Sequence, residues 1–250
     1  MDGNRNPHHD RFGGRQAAGP AGRSDMHSAV DPAFEEALLR ACGSFGLLLT
    51  SHQIGLMWRH LTLARDANQR FNLTRIVESR RAAVEHYADS LTLLRWLTHQ
   101  DAWPRRALDV GTGGGWPAVP LAVLLPEVCW TAIDSTGKKA RFVAEAAGAL
   151  GLRNLVAVHA RAVEFRAPPF DLVVARAAGR LPEVVREAAR LVAPGGCLVS
   201  YKTAHLNEDE RRAGIEAAKA AGLSILPEFP VVLHGDETYH RRLVPYRRPR

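Results

Sequence analysis

The run ALDVGTGGGWPAVPL, from Ala107 to Leu121, constrains this chain more than any other stretch. Ala107, Leu108 and Val110 make a short apolar run of the kind a fully buried strand shows. Gly111, Gly113, Gly114 and Gly115 then remove every Cβ where the backbone must turn or approach a ligand. Pro117 and Pro120 suit a first helical turn, where a missing N–H costs nothing. Strand, glycine turn and helix start, in that order, describe the nucleotide-binding end of an α/β fold. The spacing narrows the ligand. A dinucleotide turn reads G-x-G-x-x-G, its third glycine letting helix and strand pack closely under a pyrophosphate. This chain reads G-x-G-x-G, with Trp116 where that third glycine would stand. An indole there blocks the close packing but offers an apolar wall to a ligand without phosphates, such as S-adenosylmethionine. A tight structural turn with no ligand remains the plain alternative for the glycines taken alone.

At 250 residues, 46% hydrophobic and 24% charged, the chain has the length and composition of one sizeable α/β domain with an appendage. No apolar run approaches the roughly 18 residues of a membrane span. Cys42, Cys129 and Cys197 stand apart and form no C-x-x-C, so neither a zinc site nor a disulfide framework is expected. The cytoplasm is the expected compartment, with no membrane contact, no metal, and a monomer as the expected state. A net charge of +7 favours a polyanionic partner. The stretch from His240 to Arg250 carries Arg241, Arg242, Arg247, Arg248 and Arg250 and is a candidate phosphate-contact surface, a solvated chain end being the alternative.

Residues 1–30 hold almost no large apolar side chains, so burial cannot offset the entropy of ordering them, and disorder is expected. Residues 31–103 read as a helical cap. Asp31-Pro32 opens its first helix, with Phe34, Leu38, Leu39 and Cys42 on one face. A second helix after Ser51 carries Ile54, Met57, Trp58 and Leu61 at helical spacing. A third runs from the Arg70-Phe71-Asn72-Leu73-Thr74 segment to Leu97; its His86 and Asp89 share a face and read as a local helix pair.

Residues 104–250 read as the main domain. Strands are expected at 107–110, 129–133, 155–158, 172–175, 197–201, 224–226 and 240–245. Helical stretches separate most of them, which implies parallel pairing with right-handed crossovers. Asp134 closes the second strand 23 residues beyond Gly111, the offset at which a carboxylate meets ribose hydroxyls. Asp109, Asp134, Arg176 and Lys202 all follow strand ends and are expected along one sheet edge, where open α/β folds bind ligands. Pro168, Pro169 and Phe170 precede the fourth strand, the wrong side for holding an exocyclic amine as adenine-directed methyltransferases do.

Several blocks in order carry a more specific signal: Phe71-Asn72-Leu73-Thr74, His86 with Asp89-Ser90, the glycine turn with Pro117 and Pro120, Asp134-Ser135 with Gly137-Lys138-Lys139, and Ala175-Arg176-Ala177. With these blocks the chain resembles, from about Phe34 to Tyr246, the RsmG family of bacterial small-subunit rRNA methyltransferases, also called glucose-inhibited division protein B. The resemblance implies a class I S-adenosylmethionine-dependent methyltransferase fold: Rossmann-like, a mostly parallel central sheet with helices on both faces, and an N-terminal helical cap. It also implies methyl transfer to N7 of a guanosine in the decoding-region loop of 16S rRNA, with 16S rRNA or the small ribosomal subunit as partner. Carried over by position, cofactor contacts fall on Gly111, Trp116, Ala162, Val163 and Arg176, beside Gly113, Gly115 and Asp134 from the reading above. Trp116 replaces the family's usual Leu or Phe, and Val163 stands where the family often has Glu.

Guanine N7 carries a lone pair and no proton, so attack on a sulfonium methyl needs no general base, and no acid–base residue is assigned. Catalysis would come from holding the reacting atoms in line. Arg176 is expected to position cofactor or phosphate; Lys138, Lys139 and Arg161 are candidates for RNA phosphate, and His86 for shaping the target pocket. Three other functions compete: a small-molecule methyltransferase, a dinucleotide-dependent oxidoreductase, and a non-catalytic RNA-binding or assembly factor that keeps the fold.

Overall fold

The computed structural model describes residues 29–250. The expected disordered tail therefore lies outside the described residues, apart from Ala29 and Val30.

Helix α1 (Pro32–Gly43) opens on Asp31, whose Oδ1 accepts the Ala33 N–H at 2.9 Å. Helix α2 (Ser51–Asn68) opens on a reciprocal cap: Thr50 Oγ1 accepts from Gln53 N–H, and Gln53 Oε1 accepts from Thr50 N–H. The third helical segment starts later than its sequence suggests. It comprises α3 (Ser79–Ala82), a π-helical stretch (Ala83–Ala88) and α4 (Asp89–Leu97). Then follow β1 (Arg106–Val110), α5 (Ala118–Leu124), β2 (Cys129–Asp134), α6 (Gly137–Leu150), β3 (Leu155–His159) and β4 (Phe170–Arg176). The chain closes with α7 (Leu181–Ala188), β5 (Val192–Thr203), α8 (Glu208–Ala220), β6 (Ser224–Ile225), β7 (Phe229–His234) and β8 (Thr238–Arg247).

All of the strands form one sheet. Its first part runs β3-β2-β1-β4-β5 with every pair parallel, and β8 lies antiparallel against β5. Both β6 and β7 pair antiparallel with β8 on its far side. The sequence reading had no strand at β7. Its Phe229, Val231 and Leu233 do alternate with outward residues, but Pro230 interrupts the run and disguises it. A proline is tolerated there because β7 is an edge strand, with no ladder required on its open side.

Burial follows the period of two that a covered sheet imposes. Ala107, Trp130, Leu172, Val174, Val199 and Tyr201 face one core, shared with α1, α2, α4, α5 and α6. Leu108, Val110, Val173, Ala175 and Leu198 face the other, under α7 and α8. The N-terminal helices thus share one continuous apolar core with a face of the sheet. No helix among the described residues is long and apolar enough to cross a membrane.

Four of the five C-terminal arginines form neither an open phosphate-contact surface nor a solvated chain end, the two candidate readings of that stretch. As an internal strand β8 is covered, and half-buried guanidinium groups must find acceptors inside the protein. Arg241 Nε bonds Asp89 Oδ1 at 3.1 Å, Arg242 pairs with Glu228, and Arg247 donates to Gln100 Oε1 at 2.6 Å. Arg248 donates to the carbonyl of Ala189, and only Arg250 is exposed.

Candidate functional site

From β1 the chain crosses to β2 and β3 on one side, then to β4 and β5 on the other. The point where the order reverses lies between β1 and β4, at their carboxyl ends, where open α/β sheets bind ligands. A cleft of about 510 Å³ opens there. The glycine turn forms its floor, Asp134 and Ser135 one wall, Ala162 and Val163 a second, and Arg176 with Ala177 and Ala178 a third. Leu73, Thr74, His86 and Trp116 close it on the side of the N-terminal helices.

Glycine is required at several positions of that turn. Gly111, Gly113 and Gly115 hold φ of +71°, +58° and +92°, where side-chained residues are strained. A Cβ on Gly111 would meet Ala178 Cβ at 2.9 Å, whereas one on Gly115 would meet Val119 Cγ2 at 2.7 Å. Gly115, expected as a cofactor contact, is instead buried against α5 and His60 and does not line the cleft. The destination of the backbone N–H groups says what the turn can hold. Those of Gly111 and Thr112 go to the Ile133 carbonyl, that of Gly113 to Asp134 Oδ2, and those of Gly115 and Trp116 to the Thr112 carbonyl. At the head of α5, the Ala118 N–H goes to Asp109 Oδ2. Most of the donors that would cradle a pyrophosphate are therefore spent within the protein, which disfavours a dinucleotide. An uncharged nucleoside fits this floor, which offers space without a cluster of anion-binding donors.

The strand-end carboxylates divide. Asp109, expected on the ligand edge, is instead fully buried under the turn. Burial pushes its carboxyl up to about 7, opposed by the Thr112 hydroxyl and the Ala118 N–H. Asp134 does reach the cleft wall. Its Oδ2 takes the Gly113 N–H at 2.9 Å and its Oδ1 the Thr136 N–H at 2.8 Å, joining the glycine turn to the start of α6. A carboxylate has about four acceptor positions, so these two bonds leave it able to accept more.

Arg176, the last residue of β4, reaches across to the helical segment. Its Nη1 donates to Asp89 Oδ2 at 2.9 Å and to the Glu85 carbonyl at 2.6 Å. That carbonyl is available because the helix widens there: the Asp89 N–H bonds Val84 O, five residues back, and leaves Glu85 O without its α-helical donor. His86 and Asp89 therefore do not form the local helix pair expected from their spacing. Both face Arg176, whose Nη2 lies 3.4 Å from His86 Nδ1. On its other side His86 stacks on Trp116, ring centroids 3.9 Å apart and planes within 15°, and its Nε2 is 2.8 Å from Thr74 Oγ1. Burial, then the Arg176 charge, push this imidazole down to about 3, so it is neutral at physiological pH. Trp116 contributes to the cleft wall as expected, yet it is 4% exposed because His86 covers its face.

Of the basic residues singled out, Lys139 and Arg161 line the cleft, and exposed Lys138 sits with its ammonium 5.2 Å from the centre of the Phe71 ring. Ala162 is buried and Val163 exposed at the rim. Lys202 faces a neighbouring cleft and pairs with Glu210 at 2.8 Å. Leu73 and Thr74 carry the resemblance but were not among the expected site residues; the structure puts both on the cleft wall. Asn68 places them there. Its Oδ1 accepts from Leu73 N–H at 2.8 Å and Thr74 N–H at 3.1 Å, while its Nδ2 donates to Thr74 O at 2.9 Å. An Asn ending a helix before a short polar loop is the one local sign that this loop is held.

Comparison with known proteins covers the same region. The family model GidB, described as rRNA small subunit methyltransferase G, matches residues 53–227. Ribosomal RNA small subunit methyltransferase G of Deinococcus radiodurans is 39% identical over 211 residues, covering 82% of this chain and 81% of that protein. Its counterpart in Nitrosococcus oceani is 34% identical over 209 residues, covering 82% and 94%. Among solved structures, a candidate methyltransferase from Bacillus halodurans superposes with a TM-score of 0.51 at 15% identity, covering 65% of this chain and all of that one. The cyclase SpnF gives a TM-score of 0.55 at 20% identity, covering 80% and 97%. A candidate methyltransferase and a cyclase on one scaffold establish the class I methyltransferase fold, not the reaction.

Proposed function

The chain belongs to the rRNA small subunit methyltransferase G family, and on that premise we propose that it methylates N7 of a guanosine in the decoding-region loop of 16S rRNA, with S-adenosylmethionine as donor. One observation carries the reading. The family match spans 53–227, and every residue lining the cleft at the sheet's switch point lies inside that span.

S-adenosylmethionine supplies, when bound, an electrophilic methyl on a sulfonium. The residues of this chain do the rest. Gly111 and Gly113 leave room for the cofactor against the backbone, and the remaining acceptor positions of Asp134 suit ribose hydroxyls. Ala162 and Val163 offer a small apolar wall to the adenine, and no carboxylate stands at position 163. Neutral His86 braces Trp116 by stacking and borders the target side. Arg176, tied to Asp89 and Glu85, is a positioning residue held rigid between cofactor and target. Lys139 and Arg161 on the cleft wall, with exposed Lys138 beside Phe71, serve as phosphate contacts, giving RNA affinity that falls with salt. Because guanine N7 has no proton to lose, alignment supplies the catalysis and no side chain need titrate.

The test is nucleotide-resolved mass spectrometry of 16S rRNA from cells with and without the gene. One 7-methylguanosine should vanish on deletion and return with the wild-type gene but not with a Gly111→Ala copy. An unchanged set of methylated nucleotides would refute the proposal.

A further inference from the structure

A second cleft, of about 500 Å³, adjoins the first and shares His86, Arg176 and Ala177 with it. Ala177 holds φ of +54°, a left-handed conformation that a residue with a Cβ rarely adopts and that clusters at functional sites. On the far wall Lys202, near the end of β5, meets Glu210 of α8. We propose that this second cleft holds the target guanine and that the Lys202–Glu210 pair reads its Watson–Crick edge.

The inference rests on the methyltransferase reading above and adds the recognition chemistry. A guanine whose N7 points into the first cleft turns its N1–H and 2-amino groups away from it, into the second, with O6 at the corner between the two edges. The pair there has bonding capacity to spare. The Lys202 ammonium donates to Gly179 O and to Glu210 Oε1, both at 2.8 Å, and an ammonium has three donors. Glu210 Oε1 also takes the Leu181 N–H at 2.9 Å, while Oε2 accepts nothing among the described residues. Burial pushes the Glu210 carboxyl up, but its bonds to Lys202 and Leu181 outweigh this and hold it below the usual range, so it is an acceptor. A donor beside an acceptor matches guanine: ammonium to O6, carboxylate to N1–H and the 2-amino group. Adenine presents the reverse, its amine against the ammonium and its N1 lone pair against the carboxylate. Leaving such groups unpaired is what gives a polar site strong discrimination.

The experiment compares methyl transfer from S-adenosylmethionine to small subunits reconstituted with 16S rRNA bearing guanosine or inosine at the target; inosine lacks only the 2-amino group. The wild type should favour guanosine in kcat/KM by roughly tenfold, the loss of one hydrogen bond to a charged acceptor. Glu210→Gln should be slow on guanosine, with the guanosine-to-inosine ratio falling towards one and S-adenosylmethionine affinity unchanged. A wild type indifferent to the 2-amino group overturns the proposal without recourse to any variant, as does a Glu210→Gln enzyme that keeps the wild-type ratio. Absence of transfer to any guanosine by the wild type refutes the parent reading as well, which separates the two failures.

Discussion

Gly111 shows how much a single missing side chain decides. At φ of +71°, with Ala178 Cβ waiting 2.9 Å from any added Cβ, alanine here is strained by its backbone and by contact together. The left-handed conformation alone costs about 1–2 kcal/mol, so Gly111→Ala should weaken S-adenosylmethionine binding by about tenfold or more, read by titration calorimetry. Gly148 is the contrast: it lies within α6, and a Cβ there meets nothing within 4 Å. Gly148→Ala should raise stability by about 0.5–1 kcal/mol and leave binding unchanged, as thermal melts and the same titration would record. The spacing of the glycines was legible in the sequence because a turn is a local property. What was not legible was the identity of the neighbours, since Ala178 approaches Gly111 only through the pairing of β4 beside β1.

At the scale of elements, the cleft depends on a loop that carries little secondary structure of its own. Thr74 Oγ1 contacts His86, and Asn68 makes three hydrogen bonds to Leu73 and Thr74. At about 1 kcal/mol each, their loss in Asn68→Ala should free the loop. Hydrogen exchange should show the Leu73 and Thr74 amides losing protection, with a raised KM for substrate and a smaller effect on kcat; full retained protection would sink this account. The π-helical stretch is a second such device, and helical periodicity gives no hint of it, because the widening matters only when Arg176 arrives to use the Glu85 carbonyl. Removing β8 is a poor test of RNA binding for the same kind of reason: it pairs with β5, β6 and β7, so its loss would dismantle the sheet along with any charge it carries.

For the molecule as a whole, three buried titratable groups around the glycine turn set a pH dependence of stability. Burial pushes both His60 and His86 down to about 3, the Arg176 charge adding to the effect on His86, while it pushes Asp109 up to about 7. Unfolded imidazoles take up protons as pH falls below about 6.5, whereas the folded ones stay neutral until about 3. Their contribution is therefore present above pH 6.5 and drains away on acidification. Asp109 runs the opposite way, since its unfolded carboxyl ionises from its ordinary 3.8 while the folded one keeps its proton up to about 7. Two imidazoles against one carboxyl leave a net uptake of about one proton on unfolding between pH 4 and 6, or about 1.4 kcal/mol lost per pH unit. Melting temperature should fall steadily across that window, and His60→Asn should nearly flatten the slope; a wild-type profile already flat would refute the assignment.

The fold class, the cleft at the end of β1 and the carboxylate closing β2 were determined by the sequence by itself. Apolar runs, glycine spacing and strand ends are set by short-range sterics and by the need to bury alternate side chains, and these operate wherever the chain is placed. Which polar groups remain free to meet a ligand was decided only by the tertiary structure. His86 and Asp89 read as neighbours on one helix until Arg176, nearly ninety residues on, claims both. Arg241, Arg242 and Arg247 read as an open basic tail until β8 is buried against partners that share no local signal with them. A charge taken from water has to find its partner wherever packing brings one, and packing joins positions that lie far apart along the chain.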